Sequence, residues 1–121
     1  MARVLIVDDD EQVCAVVSRL LAHEGHDSEV VHTGTEAIGA LRDRRFDLLL
    51  IDLVMPEKGG VETIIEIRNL ANSIPIIVMS GKVSFEEASI TRLVTHYGAV
   101  ASLGKPFSVE ELRRAVSRAL A

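Results

Sequence analysis

Two kinds of apolar pattern alternate along this chain. Short continuous runs are followed by stretches whose apolar positions recur every three or four residues. The most apolar run is Leu48-Leu49-Leu50-Ile51, which ends in Asp52. A run that short and that apolar predicts a strand buried on both faces, as in a parallel sheet under helices. Val4–Val7 predicts a first strand of the same kind, ending in Asp8-Asp9-Asp10-Glu11. Ser28–His32, Asp47–Ile51, Pro75–Met79 and Val100–Leu103 complete a set of five, the last weak in β-branched residues.

The stretches between them read as helices. The first carries Val13, Val16, Val17, Leu20 and Leu21 on one face and stops at Gly25. The second opens on Thr33-Gly34-Thr35-Glu36, a capping box, and buries Ala37, Ile38 and Leu41. The third follows Gly59-Gly60, carries Val61, Ile64 and Ile65, and ends near Leu70 to Asn72. The fourth opens on a capping box at Ser84–Glu87, presents Ile90, Leu93, Val94 and Tyr97, and ends at Gly98. The fifth opens on Ser108-Val109-Glu110-Glu111 and buries Leu112, Val116, Ala119 and Leu120. Strict alternation of strand and helix predicts an α/β fold, a single doubly wound, flavodoxin-like sheet with helices on both faces. Five strands favour the order 2-1-3-4-5, with a crevice between strands 1 and 3 at their carboxyl ends.

Length and charge narrow the function. With 121 residues, one domain over residues 1–121 is expected, and 48% hydrophobic residues suffice for its core. A net charge of -5 argues against direct nucleic-acid binding by this segment. No apolar run is long enough to span a membrane, and Val4–Val7 after Met1-Ala2-Arg3 is too short an apolar region to read as a signal peptide. The single cysteine, Cys14, cannot form an internal disulfide and suits the cytoplasm; it reads as a small buried side chain. The four histidines show no metal-ligand spacing, so hydrogen-bonding or solvated roles are expected.

Four strand ends deliver polar residues to the same crevice: Asp8 and Asp9, then Asp52, Ser80 and Lys105. Three carboxylates against one ammonium leave about -2 charges there, which calls for a cation. Carboxylates with backbone carbonyls suit a hard divalent ion such as Mg²⁺. A hydroxyl and a lysine beside it suit the remaining oxygens of a phosphoryl group. Ten of the thirteen basic residues are arginines, so a lysine at 105 suggests a need for a compact point charge.

These segments, together with Met55-Pro56, Gly60, Gly98-Ala99 and Lys105-Pro106-Phe107, resemble the receiver domain of bacterial two-component response regulators over essentially the whole chain. The resemblance implies that Asp52 is the phosphoacceptor for a histidine kinase or phosphotransfer protein. It implies Mg²⁺ or Mn²⁺ held by Asp8, Asp9, Asp52 and the main-chain carbonyl of Val54, with Asp9 ligating directly and Asp8 through water. Ser80 would hydrogen-bond the phosphoryl group, Lys105 would pair with it, and the Lys105–Pro106 bond would be cis. Asp10 is left over as a helix-start acid. The domain would catalyse only its own phosphorylation and dephosphorylation. Its output would pass to a downstream effector domain or protein through a face of helix 4, strand 5 and helix 5.

Departures from the family pattern fall on output and lifetime. Gly59 before Gly60 should loosen that loop. Ser80-Gly81 replaces Thr-Ala, and Ser102 stands where the family carries an aromatic residue. The signal is therefore expected to pass through Ser80 and residues 81–84 into helix 4. Val54 and Lys82 match the positions flanking the path of water to the acyl phosphate. Rival readings are a phosphorylation-independent pseudo-receiver, an FMN binder and a dehalogenase-type phosphatase. The acidic loop after strand 1 opposes the second, and Val54, where that chemistry needs an aspartate, opposes the third.

Overall fold

The computed structural model describes residues 1–55, 58–81 and 92–121. The chain runs β1 (Arg3–Val7), α1 (Glu11–His23), β2 (Asp27–Val31), α2 (Gly34–Asp43), β3 (Leu48–Asp52), α3 (Gly60–Asn69) and β4 (Ile76–Ser80). Residues 92–96 are helical (α4), and β5 (Ala99–Gly104) and α5 (Val109–Leu120) follow. The five strands form one parallel sheet in the order β2-β1-β3-β4-β5. The predicted fold class and strand order are thus those observed. The capping box at Ser84–Glu87, Ile90, Pro56 and Lys82 lie outside the described residues.

Alternation along the central strands divides the core in two. Leu5, Val7, Leu49, Ile51, Ile76 and Val78 face α2, α3 and Val94 of α4. Val4, Ile6, Leu48, Leu50, Ile77 and Met79 face α1 and α5. All five residues of β3 and of β4 are buried, which is why those runs carry no alternation in the sequence. Full burial of a Leu or Ile side chain contributes about 1.5–3 kcal/mol. A half-exposed ion pair such as Arg44–Glu29 contributes ~1 kcal/mol or less, so the two apolar faces hold the fold.

Three helix stripes are narrower than periodicity predicts. α1 buries Cys14, Val17 and Leu21, with Val13 and Leu20 partly covered, while Val16 is 54% exposed. Val16 lies roughly 110° round the helix from the centre of that stripe, beyond the reach of the sheet. Leu93 of α4 and Leu120 of α5 are likewise exposed, each at the edge of a face that buries Val94 or Val116 and Ala119. Strand limits shift by one residue at several ends. Asp47 stays outside β3 because its Oδ2 accepts the Arg3 N–H at 2.8 Å. Asp52 and Ser80 are the last residues of their strands, still in register with Met79 and Gly104.

Capping follows the sequence closely. The Ser108–Glu111 box is complete, with both reciprocal bonds formed. Thr33 accepts the Glu36 N–H, but Glu36 reaches back to the N–H of His32 rather than of Thr33. Asp10 caps α1 through the N–H groups of Gln12 and Val13, the helix-start role expected of it. At α3 the N-cap is Gly59, which offers no side-chain acceptor, and Lys58 pairs with Glu66 instead. Gly60 is required by contact: a Cβ there would stand 2.2 Å from the carbonyl oxygen of Asp52. The start of α3 therefore packs directly against the end of β3.

Candidate phosphoryl-acceptor and metal site

The carboxyl ends of β1, β3 and β5 bring Asp8, Asp52 and Lys105 into one hydrogen-bonded group. Lys105 Nζ donates to Asp8 Oδ2 at 2.6 Å and to Asp52 Oδ2 at 3.2 Å. The other oxygen of each carboxylate is held by backbone: Asp8 Oδ1 accepts the Asp10 N–H at 2.9 Å, and Asp52 Oδ1 accepts the Val54 N–H at 3.1 Å. Asp8 is fully buried and Asp52 nearly so, and this pattern meets the rule that buried charges must be paired and hydrogen-bonded. Asp9 is exposed at the rim, yet one carboxylate oxygen from each of Asp8, Asp9 and Asp52 lies within 4.8 Å of the others.

Ser80 is buried at the end of β4, and its carbonyl accepts the Lys105 N–H at 2.6 Å. That bond fixes where the Lys105 side chain departs from the sheet edge. The Lys105–Pro106 peptide bond is cis, as the resemblance implies. The Val54 side chain is 62% exposed.

Burial pushes the Asp52 carboxyl above its ordinary value, and the neighbouring Asp8 charge adds to this. The Val54 N–H and Lys105 pull the other way without cancelling it. Burial works against the Lys105 ammonium, but the bond to Asp8 and the charges of Asp52 and Asp8 outweigh it and hold Lys105 above its ordinary value. Among the described residues, the site is thus a carboxylate pair that one internal cation, Lys105, neutralises only in part. Such a donor set, hard oxygens with spare lone pairs and excess negative charge, fits a hard divalent cation.

Two residues that sequence reasoning did not place here brace Asp8 from behind. His32 Nδ1 donates to the Asp8 carbonyl at 2.9 Å, and the Cys14 Sγ–H points at the same oxygen at 3.4 Å. The pairing of Val7 with Val31 brings the next residues, Asp8 and His32, side by side, and that register was the signal available. The Cys14 thiol is pushed up to about 11, first by burial and then by the Asp8 charge, so it stays protonated at neutral pH and is no nucleophile.

Fold and site together define a doubly wound α/β domain with an acidic, cation-suited group at the carboxyl edge of its sheet, and comparison with known proteins gives the family. The sequence model of the response regulator receiver domain family matches residues 4–117, and the chain belongs to that family. It is 36% identical over 118 residues to the transcriptional regulatory protein ZraR of Escherichia coli O157:H7, covering 98% of this chain and 26% of that protein. It is 36% identical over 110 residues to the response regulator MprA of Mycobacterium avium, covering 91% of this chain and 47% of that protein. The chain therefore spans between a quarter and a half of these relatives. Among solved structures, chemotaxis response regulator CheY4 of Vibrio cholerae superposes with a TM-score of 0.88 at 31% identity, covering 99% of both chains. A CheY-like receiver domain from Methanospirillum hungatei gives 0.89 at 27% identity, covering 99% of this chain and 94% of that one. The flavin-binding and pseudo-receiver alternatives are not favoured. No helix among the described residues is long and apolar enough to cross a membrane.

Proposed function

We propose that Asp52 accepts a phosphoryl group from the phosphohistidine of a histidine kinase or phosphotransfer protein, in a cytoplasmic signalling pathway. The observation that carries this reading is Lys105 bonded at once to Asp8 and Asp52 at the sheet edge, with Asp9 beside them. An Asp52 carboxylate oxygen attacks phosphorus in line; the new O–P bond forms as the P–N bond to imidazole breaks, and the imidazole leaves. Lys105 moves from carboxylate to phosphoryl oxygen, and Ser80, ending the neighbouring strand, supplies a hydroxyl donor to another. Asp8, Asp9, Asp52 and the Val54 carbonyl would hold Mg²⁺ or Mn²⁺, which supplies charge neutralisation for the transferring group. The chain promotes only changes at its own Asp52 and turns over no external product.

Metal binding and phosphoryl uptake should fail together at Asp9. Mg²⁺ should raise the melting temperature of the parent protein by mass action. Asp9→Ala should lose most of that rise and most Mg²⁺-dependent uptake from acetyl phosphate, with little change in metal-free stability, because Asp9 is exposed at the rim. A full Mg²⁺ response in Asp9→Ala would contradict the ligand set.

The aspartyl phosphate should be long-lived. The exposed Val54 side chain offers no hydrogen bond to a water approaching Asp52. Val54→Asn should speed loss of the phosphoryl group about tenfold, ~1.4 kcal/mol of barrier, followed as decay after the donor is removed. Lys82, the other flanking position, lies outside the described residues. Output is assigned to the face of α4, β5 and α5, where Leu93, Val100 and the non-aromatic Ser102 are exposed. An effector domain or partner protein would read this face. The route through residues 81–84 also falls mostly outside the described residues.

A further inference from the structure

The sheet's amino-terminal end carries a second organised group, centred on Arg68 in the last turn of α3. Its Nε donates to the Tyr97 carbonyl at 2.6 Å, and its Nη1 to the carbonyls of Asn72 at 2.8 Å and Ile74 at 2.9 Å. Its Nη2 lies 3.5 Å from the Gly98 carbonyl. One guanidinium fork thus ties the segment entering β4 to the turn entering β5. These acceptors are all backbone carbonyls: Asn72 follows the end of α3, Tyr97 and Gly98 follow α4, and Ile74 lies just before β4. Burial holds Arg68 below its ordinary value. Gly98 makes room: it sits at φ +92°, and a Cβ there would approach Nη2 to 3.0 Å.

Immediately after this anchor, β5 breaks register. Ile76 pairs with Ala99, but Ile77 pairs with Ala101, so Val100 is an extra residue opposite no partner. The consequence is visible in the packing. Ala99 faces the core beneath α2 and α3, whereas Ala101 and Leu103 face α1 and α5. Regular alternation would put all three on one side. Beyond the bulge the register runs Val78 to Ser102, Met79 to Leu103 and Ser80 to Gly104, and delivers Lys105 to the Ser80 carbonyl. Without the bulge, β5 would slip one residue after Ala99, move Lys105 by about 3.3 Å and turn Ala101, Ser102 and Leu103 to the opposite faces.

We propose that Arg68 is a positioning residue for Lys105: by clamping the entry to β5 it holds the bulged register that brings Lys105 to Asp8 and Asp52. Arg68 acts from the far end of β4, roughly 15 Å from Ser80 at the usual rise per residue. The importance of Lys105 rests on the phosphoacceptor reading; the control of register does not.

The test is NMR of the metal-free protein without a phosphodonor, so its outcome is separate from whether Asp52 is the acceptor. In the parent, Ile77 should contact Ala101, and the Lys105 amide should be protected by the Ser80 carbonyl. In Arg68→Gln, contacts from Ile77 to Val100 and from Val78 to Ala101 should appear. Exchange of the Lys105 amide should accelerate about tenfold or more, while β1 and β3 amides hold their protection. Parent contacts and parent Lys105 protection in the variant would overturn the proposal. So would a loss of protection that is uniform across the five strands, since that is plain destabilisation. If Arg68→Gln does not fold, Arg68→Lys, which keeps the charge but lacks the fork, gives the same two readings.

Discussion

Replacing Lys105 with methionine should destabilise the metal-free protein by about 3 kcal/mol, lowering the melting temperature by roughly 10 °C. Asp8 is 0% exposed and Asp52 5% exposed, and Lys105 is the cation bonded to both. Removing it leaves the two buried carboxylates, among the described residues, with only the backbone N–H donors of Asp10 and Val54, and an uncompensated buried charge costs more than a surface pair is worth. Mg²⁺ should then stabilise Lys105→Met more than it stabilises the parent, because the metal supplies the missing charge. Phosphoryl uptake should still fall, on the order of a hundredfold, as for loss of one preorganised donor. The pH dependence has a defined sign. Lys105 is held above its ordinary 10.5, so its contribution is complete below that value and is lost as pH rises through the higher folded value. Lys105→Met should lack this alkaline loss. A variant as stable as the parent in metal-free buffer would show that Lys105 does not compensate the pair.

Asp52→Asn should have the opposite effect on stability and a larger one on chemistry. Burial, then the Asp8 charge, raises the Asp52 carboxyl above 3.8 despite the Val54 N–H and Lys105. The unfolded chain therefore gives up this proton at lower pH than the folded one. Its contribution is full below 3.8 and falls as pH rises through the raised value, so at neutral pH the ionised group costs stability. Asp52→Asn removes that cost and keeps one acceptor oxygen, enough for the Val54 N–H or for Lys105 but not for both. Its metal-free melting temperature should be a few degrees higher at pH 7, with the difference vanishing towards pH 3, and phosphoryl uptake should be abolished. A melting temperature equal to or below that of the parent at pH 7 would mean that pairing with Lys105 outweighs desolvation.

Much of the site could be read from the chain because Asp8, Asp52 and Ser80 each end an apolar run. Leu48–Ile51 reads as a strand buried on both faces, and the residue that stops it then falls at the sheet's edge. The same logic placed Asp8 and Ser80, and the parallel topology put all three at one end. The Asp10 and Ser108 caps were legible because capping is local. Three features were not. His32 and Cys14 brace a backbone carbonyl, which leaves no trace in side-chain pattern and depends on register. The bulge at Val100 lies in Ala99-Val100-Ala101-Ser102, which has no Gly or Pro to mark it. Arg68 reads as an ordinary last-turn cation, because the carbonyls it gathers come from separate loops. Helix stripes were over-read at Val16, Leu93 and Leu120, since spacing gives a face but not its width.

The most direct test of the account is to find where the phosphoryl group goes. The protein should be incubated with Mg²⁺ and acetyl phosphate, its intact mass measured, and the modified residue located by peptide mapping after the acyl phosphate is trapped by reduction. The account predicts a gain of one phosphoryl mass, dependent on divalent metal, mapped to Asp52 and missing from Asp52→Asn. A gain that survives Asp52→Asn, or that maps to another residue, would contradict it.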